Sequence, residues 1–306
     1  MHKTTLHKRA HLTGHQGAVF ALSEGLNSDH FFSGDGNGLV VQWAINQGNK
    51  GVAIAKVPSN IFSMQLLVER NLLAVGSMQG ILYFIDLQKK QVISPTLQFG
   101  KAIFDLKRQG EHLYLATGLG ELVVLNTTDF SVHKRLKIST ASLRQLIFHP
   151  NLPLLAICSS DHQLYLLNYH TWQIHQTLAY HKNSVFTAQF SQDGSTLIIG
   201  SRDARLSLWR INTNDEYTLE HVVPAHLFTI NSLIFIPDKN YLVSASRDKS
   251  IKIWDIHTLR LLKVFNNDKE GLSMHTHSIN KLLYLSAQGL LLSGSDDRSI
   301  IQWQVI

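Results

Sequence analysis

Short apolar runs alternate with polar turns along this chain, and the same order of runs recurs roughly every forty residues. In the clearest unit, an apolar run at residues 185–190 is followed by a polar turn at 191–194, a second run at 197–200 and an alternating run at 205–210. Apolar runs of this length between Gly, Ser and Asp turns predict β-strands. Since no segment keeps a 3.6-residue apolar period, the chain is predicted to be nearly all β.

Each of the last three units ends in a Trp that lies six residues after an Asp. The three pairs are Asp203 and Trp209, Asp248 and Trp254, and Asp297 and Trp303. The same register places an apolar anchor in each of four earlier units, namely Trp43, Phe84, Leu125 and Leu167. Seven units, whose anchors are 41 to 49 residues apart, therefore account for the chain.

A unit of about forty residues cannot bury both faces of its own sheet, so neighbouring units must stack and a ring must close. The chain ends three residues after Trp303, which leaves the seventh unit without an outer strand, whereas residues 1–12 precede the first full unit. We therefore predict one domain over residues 1–306, a seven-bladed β-propeller of four-stranded antiparallel blades. A strand within residues 1–12 is expected to close the ring in the last blade.

Two dipeptides resemble the signatures of the WD-repeat family: Gly14-His15 near the start of a unit and Trp254-Asp255 at the end of one. The spacing between polar residues carries the resemblance further. Each of four histidines, His15, His181, His226 and His275, lies 22 residues before a polar partner, which is Asn37, Asp203, Asp248 and Asp297 respectively. The resemblance to WD-repeat β-propellers covers essentially the whole chain.

This resemblance implies a structural role for the repeated polar residues. In the family the Asp accepts a hydrogen bond from the His, and a strand Ser or Thr links that His to the Trp. Two units have full sets: His226, Ser244, Asp248 and Trp254 in the sixth, and His275, Ser293, Asp297 and Trp303 in the seventh. The fifth unit has His181, Asp203 and Trp209, but Ile199 takes the place of the hydroxyl. Val57, Phe99 and Ser139 replace the His in units two to four, which predicts apolar packing there. We expect these sets to brace blades rather than to catalyse a reaction.

The resemblance also implies partner contacts on the narrower face of the ring. They often come from the fifth residue after the His position, here Phe20, Phe62, Phe104, Arg144, Phe186, Asn231 and Asn280. They also come from the residue before the Asp position, here Gly36, Ser77, Gly118, Ser160, Arg202, Arg247 and Asp296. Because aromatic and Arg side chains commonly anchor interfaces, we predict partner binding by the first set together with Arg202 and Arg247. The alternative is that the phenylalanines only fill space near the channel.

The net charge of +6 suits an acidic partner, but no block of five basic residues is present. We therefore predict a scaffold that is not an enzyme and that binds a peptide or an acidic segment of a protein, with a nucleic-acid platform as the alternative.

No catalytic residue, cofactor or metal site is predicted. The run from Gly34 to Gly38 lacks the Lys-Ser/Thr of a phosphate-binding loop and predicts a hairpin turn instead. One unpaired cysteine, Cys158, and the absence of an apolar leader or a 20-residue apolar run predict a cytoplasmic protein without a membrane span.

Overall fold

The computed structural model describes residues 6–266 and 274–306, which fold into seven four-stranded antiparallel sheets. Within these ranges the helical elements are three one-turn 3-10 segments at Val68–Arg70, Pro237–Lys239 and Ser286–Gln288. None of them has the length and apolar character that a membrane-crossing helix requires.

Each of the first three blades uses four consecutive strands, ordered from the centre outward. Blade one contains β2 (Val19–Glu24), β3 (His30–Asp35), β4 (Leu39–Ala44) and β5 (Gly51–Lys56). Blade two contains β6 (Ile61–Leu67), β7 (Leu72–Ser77), β8 (Ile81–Asp86) and β9 (Gln91–Gln98). Blade three contains β10 (Ile103–Gln109), β11 (His112–Thr117), β12 (Glu121–Asn126) and β13 (Val132–Lys137).

The next three blades repeat this arrangement. Blade four contains β14 (Leu143–Phe148), β15 (Leu154–Ser159), β16 (Gln163–Asn168) and β17 (Gln173–Ala179). Blade five contains β18 (Val185–Phe190), β19 (Thr196–Ser201), β20 (Arg205–Ile211) and β21 (Tyr217–Pro224). Blade six contains β22 (Ile230–Ile236), β23 (Tyr241–Ser246), β24 (Ile251–Asp255) and β25 (Leu261–Phe265).

Blade seven joins the two ends of the chain. Its inner three strands are β26 (Ile279–Leu285), β27 (Leu290–Ser295) and β28 (Ile300–Val305), and its outer strand is β1 (Leu6–Leu12). In the antiparallel register of β1 and β28, Leu6 is opposite Val305 and Leu12 is opposite Ile300. The predicted closure by an N-terminal strand is confirmed for residues 6–12, whereas residues 1–5 lie outside the described part. The extent of the domain as residues 1–306 stays a prediction.

The first strand of every blade faces the central channel. Each of these inner strands contacts the inner strand of the next blade, and β26 of blade seven contacts β2 of blade one, so the ring is closed. The predicted all-β, seven-bladed propeller is therefore confirmed.

Apolar cores lie between adjacent blades. The seven predicted anchors all lie on the third strand of their blades and are buried: Trp43, Phe84, Leu125, Leu167, Trp209, Trp254 and Trp303. One core cluster illustrates the sharing of a core, because it joins Ile236 and Val243 of blade six to Leu282 and Leu291 of blade seven. A blade on its own would expose these side chains to water, which costs about 25 cal/mol per Å² of apolar surface.

A small residue near the end of each second strand allows the blades to approach closely. A Cβ atom on Gly34 would lie 2.6 Å from the Ile61 side chain of the next blade, and one on Gly76 would lie 2.8 Å from Ile103. The buried thiol Cys158 occupies the same register in blade four, opposite Gln145. Cys158 therefore behaves as a small packing residue, and burial raises the pKa of its thiol well above the ordinary value.

Candidate functional site at the mouth of the central channel

A β-bulge occurs at the same place in all seven blades of the described chain. In every pairing of first and second strands, the register skips the second residue of the inner strand. The seven skipped residues are the same residues that lie five positions after the His position in each repeat, namely Phe20, Phe62, Phe104, Arg144, Phe186, Asn231 and Asn280. A bulge kinks its strand and redirects the side chain of the extra residue. The repeated bulge is therefore the physical reason that the fifth residue after the His position has the same place in every blade.

These seven side chains surround one cavity at the end of the channel where the inner strands begin. The cavity has a volume of about 270 Å³, and Gln145, Ser232 and Lys281 complete its lining. We call it the channel-mouth cavity, and we call this end of the ring the entry face. Sequence reasoning missed the three additional residues, although each directly follows a bulge residue in the chain.

Aromatic rings form a continuous wall on one side of the cavity. Phe20 and Phe62 meet edge to face with ring centroids 5.3 Å apart, and Phe62 and Phe104 stack with centroids 5.5 Å apart. All four phenylalanines of the set, including Phe186, are only partly buried. They therefore present apolar surface to the cavity and also pack against one another.

Arg144 completes this wall by lying between two phenylalanines. Its Cζ atom is 4.2 Å from the ring centroid of Phe104 and 4.8 Å from that of Phe186, and its Nε donates to the hydroxyl of Ser160 at 2.7 Å. The guanidinium is therefore enclosed by two rings and a hydroxyl instead of extending into solvent. The rings of blades three and five offer cation–π contacts that hold the guanidinium over the cavity.

The charge of Arg144 is retained despite this enclosure. Burial is the main cause that lowers the pKa of its guanidinium, and the nearby charge of Arg202 adds to the effect. Because an arginine stays protonated in proteins, the site keeps a permanent cation.

The other predicted partner-binding residues divide into two groups. Asn231 donates to the carbonyl of Ile279 at 2.8 Å, and Asn280 donates to the carbonyl of Val19 at 3.2 Å, so both asparagines tie their blade to the next one. Arg202 and Arg247 are exposed and lie outside the lining of the cavity.

The polar sets that were expected to be complete in blades six and seven are complete. In blade six, Nδ1 of His226 is 2.8 Å from Asp248, and Nε2 is 2.7 Å from the hydroxyl of Ser244, which accepts the indole hydrogen of Trp254 at 2.8 Å. The same chain of contacts in blade seven runs through Asp297, His275, Ser293 and Trp303 at 2.9, 2.8 and 2.9 Å. Because a carboxylate only accepts hydrogen bonds, the His carries a proton on Nδ1.

Blade five has a complete set through a different residue. His181 is 3.0 Å from Asp203, as expected, but its Nε2 is 2.9 Å from Ser207, which also accepts the indole hydrogen of Trp209. The interpretation that Ile199 leaves this blade without a hydroxyl is therefore wrong. Ser207 is on the third strand, so no second-strand position could indicate it.

Blade one also departs from the expected spacing. Nδ1 of His15 is 2.9 Å from Asp35, which lies 20 residues further along the chain, and Asn37 only donates its backbone N–H to that carboxylate. Burial acts to raise the pKa of Asp35, but the hydrogen bonds from His15, Leu39 and Asn37 outweigh it and lower the pKa to about 2. The assignment of Asn37 as the partner of His15 is wrong because the hairpin turn places Asp35 nearer.

The prediction of apolar packing in place of the polar set is wrong for blade four, because a serine and a tyrosine replace the usual His partner of the Asp there. Asp161 accepts hydrogen bonds from the hydroxyls of Ser139 and Tyr165. In blades two and three, Val57 and Phe99 are buried at the His position, in agreement with apolar packing.

Comparisons with known proteins agree with this architecture. A family model described as "KNTC1, N-terminal" matches residues 56–278, and one described as "WD domain, G-beta repeat" matches residues 268–304. The chain belongs to the KNTC1 N-terminal family and is a WD-repeat β-propeller. Among solved structures, this WD-repeat propeller is similar to the WD40 β-propeller domain of Doa1, with a TM-score of 0.84 and 18% identity. The match covers 98% of this chain and 97% of that one and shows the fold alone.

Curated relatives share parts of this WD-repeat propeller. Nuclear distribution protein nudF 1 of Talaromyces marneffei is 29% identical over 37% of the chain, which spans 25% of that relative. A WDS homolog of Arabidopsis thaliana is 28% identical over 32% of the chain and 19% of the relative. Subunit I of eukaryotic translation initiation factor 3 from Candida glabrata is 33% identical over 26% of the chain and 23% of the relative. The chain thus matches a quarter or less of the length of each of these relatives.

Proposed function

We propose that this propeller is a non-enzymatic interaction module that binds a peptide segment of a partner protein at the channel-mouth cavity. The segment carries an acidic residue that Arg144 recognises. WD-repeat propellers generally act as scaffolds for protein interactions, and this family role supports a protein partner.

The position of Arg144 is the observation that carries the proposal. Its Nε is used by Ser160, whereas the terminal nitrogens Nη1 and Nη2 have no hydrogen-bond acceptor among the described residues. Two rings and one hydroxyl therefore hold the guanidinium in place and leave its planar pair of donors unused. That arrangement fits a carboxylate, which accepts two parallel hydrogen bonds from an arginine. Little side-chain entropy remains to be lost on binding, because the guanidinium is already fixed.

The aromatic wall supplies the apolar part of the site. Phe20 and Phe62 are partly buried and lie beside one another on the cavity wall. An apolar residue next to the acidic residue of the peptide can pack against them. Partly exposed aromatic surface next to fixed polar groups is typical of peptide-binding pockets.

Peptide selection on the immobilised protein tests this function. A displayed library of 15-residue peptides provides the probes, and fluorescence anisotropy of the recovered peptides measures affinity. We expect Arg144→Gln to weaken recovered acidic peptides by about tenfold or more, since truncating one partner of a desolvated charge pair costs several kcal/mol. Arg260→Gln is the matched control, because the exposed Arg260 lies in the turn from β24 to β25, at the opposite end of the ring.

Two outcomes would overturn the proposal. One is that every recovered peptide binds the Arg144→Gln protein as tightly as the parent. The other is that the protein binds nucleic acid with an affinity that falls steeply with salt while no peptide is recovered, because phosphate-driven binding has that salt dependence.

A further inference from the structure

The residue that directly follows the bulge connects neighbouring inner strands in five of the seven blades, and in blade one it is the apolar Ala21. In four blades its side chain accepts the backbone N–H of a residue in the next blade: Asp105 accepts from Leu146, Gln145 from Ala188, Thr187 from Leu233 and Ser232 from Leu282, at 2.9 to 3.1 Å. In blade two, Ser63 instead donates to the carbonyl of Ile103 at 2.9 Å. This position therefore has a structural role in most of the ring.

Lys281 breaks the pattern in blade seven. An ammonium group has no acceptor lone pair, so it cannot take the N–H of the next strand. Among the described residues it has no hydrogen-bond or ion-pair partner either, although its side chain lies in the channel. A lysine enclosed in this way keeps its charge at a cost unless an anion is near.

The surroundings of Lys281 carry an excess of positive charge. A second cavity of about 100 Å³ lies deeper in the channel and shares Phe62, Gln145, Ser232 and Lys281 with the channel-mouth cavity. Asp105 and Lys107 also line it, so the charged lining of this deeper cavity is two lysines and one carboxylate. Arg144 adds a third cation at the mouth.

Asp105, the one carboxylate among the described residues that line the deeper cavity, is already used in part. Asp105 accepts the backbone N–H of Leu146 and forms no ion pair within 4.0 Å with Lys281. Burial lowers the pKa of Lys281, Asp105 opposes that effect and Lys107 adds to it. An anion that arrives from outside would satisfy the ammonium group and balance the charge of the channel.

We propose that the acidic side chain of the bound peptide enters the channel and that its carboxylate pairs with Lys281. The inference rests on the proposed function, and it assigns to Lys281 the selection of an acidic residue over its neutral analogue. The peptide accordingly approaches the ring with one side chain pointing along the channel axis. Arg144 meets the carboxylate at the mouth, and Lys281 meets it from below.

A pair of matched peptides tests this role. The probes are a recovered peptide with Glu at its acidic position and the same peptide with Gln there, and anisotropy measures both affinities for the parent and for Lys281→Met. We expect Lys281→Met to weaken the Glu peptide by about tenfold or more and the Gln peptide by less than about twofold. Lys101→Met is the control, because Lys101 is an exposed cation on the same face that does not line either cavity.

Melting temperatures separate binding from folding, and Lys281→Arg provides a second variant that should keep the preference for Glu.

Equal weakening of both peptides, or no weakening of the Glu peptide, would overturn the inference. If Arg144→Gln weakens binding in that case, the proposed function stands without the role of Lys281. If neither variant changes the affinity, both proposals fail. Tighter binding of a phosphoserine peptide than of the Glu peptide would assign the channel to phosphate and also overturn the inference.

Discussion

The hydroxyl oxygen of Ser207 lies 2.9 Å from Nε2 of His181, although the two residues belong to a blade whose second strand has no hydroxyl at the usual place. In blades one, six and seven, the corresponding serine is on the second strand, ten residues before the Trp. In blade five it is on the third strand, two residues before Trp209. The same contacts are therefore built from a different position in the chain.

Replacement of Ser207 tests whether the polar set braces the blade. Ser207→Ala leaves Nε2 of His181 and the indole N–H of Trp209 without a partner in a buried site, and we expect a loss of about 1 to 3 kcal/mol in the free energy of unfolding. Ile199→Ser should be less harmful in the Ser207→Ala background than in the parent, because it restores a hydroxyl ten residues before Trp209. Urea unfolding of the four proteins measures this coupling. Strictly additive losses would show that a hydroxyl at residue 199 does not replace that of Ser207, and an unchanged stability of Ser207→Ala would show that the hydroxyl has no bracing role.

The sequence predicted those features that depend on local spacing. The anchors, the ring closure and the second residue of each inner strand follow from offsets within one repeat. The partner of His15 and the orientation of Arg144 could not be predicted in the same way. Asp35 is selected by the shape of a hairpin turn, and Arg144 is held by rings about forty residues away on either side.

Gln302 is a further polar residue that repeat spacing does not explain. Its side chain is completely buried on β28, and neither polar atom of its amide has a partner among the described residues. A buried unpaired amide costs about 1 to 3 kcal/mol, whereas an apolar group of similar shape does not carry that cost. We expect Gln302→Met to raise the melting temperature. A lower melting temperature would indicate that the amide is satisfied in solution, for example by a buried water.

The His–Asp pairs should make the propeller sensitive to acid. Burial would raise the pKa of Asp203, yet the hydrogen bond and charge of His181 lower it from 3.8 to about 2, as His15 does for Asp35. A carboxyl whose pKa is lower in the folded state stabilises the fold above its unfolded pKa and loses that effect as the pH falls through its folded value. Each pair should therefore lose about 2 kcal/mol between roughly pH 4 and pH 2. Burial also lowers the pKa of His226, so a further loss begins below about pH 6.5.

Chemical unfolding at a series of pH values measures this dependence. Asp203→Asn removes one titrating group, and its stability should change less between pH 4 and pH 2 than that of the parent. An unchanged slope in that interval would mean that Asp203 is not stabilised in its ionised form.

Deletion of residues 1–12 tests ring closure. The deletion removes β1, in which Leu6 and Leu12 are buried, and leaves the edge of β28 unpaired. The two leucines alone correspond to about 3 to 6 kcal/mol of burial free energy, and an open edge promotes pairing between molecules. We expect a large fall in melting temperature and aggregation in size-exclusion chromatography.

Deletion of residues 1–5 is the control for this experiment, since it leaves every residue of β1 in place. That shorter deletion should lower the melting temperature far less than removal of all twelve residues. A monomeric protein of parent stability after removal of all twelve residues would contradict the closure.

The arginines of the entry face should contribute to binding in two different ways. Arg202 and Arg247 are exposed and outside the cavity, so Arg202→Glu with Arg247→Glu should weaken an acidic peptide only a few fold, mainly through a slower association that salt suppresses. The melting temperature should hardly change, because surface substitutions away from buried features usually alter stability by less than about 0.5 kcal/mol.

Addition of Arg144→Glu to that double variant should abolish binding. The new carboxylate would repel an acidic ligand where the parent offers two unused donors, and it would also lose the contacts with Phe104 and Phe186. Stopped-flow association and equilibrium anisotropy over a range of salt concentrations separate the two contributions. Arg144→Glu can lower stability because it loses the ring contacts. Arg144→Gln and Arg144→Lys are therefore compared as well, at a temperature well below their melting points. Complete loss of binding in the Arg202 and Arg247 double variant would move the contact from the cavity to the exposed rim, since a cavity contact at Arg144 should survive reversal of the two rim charges.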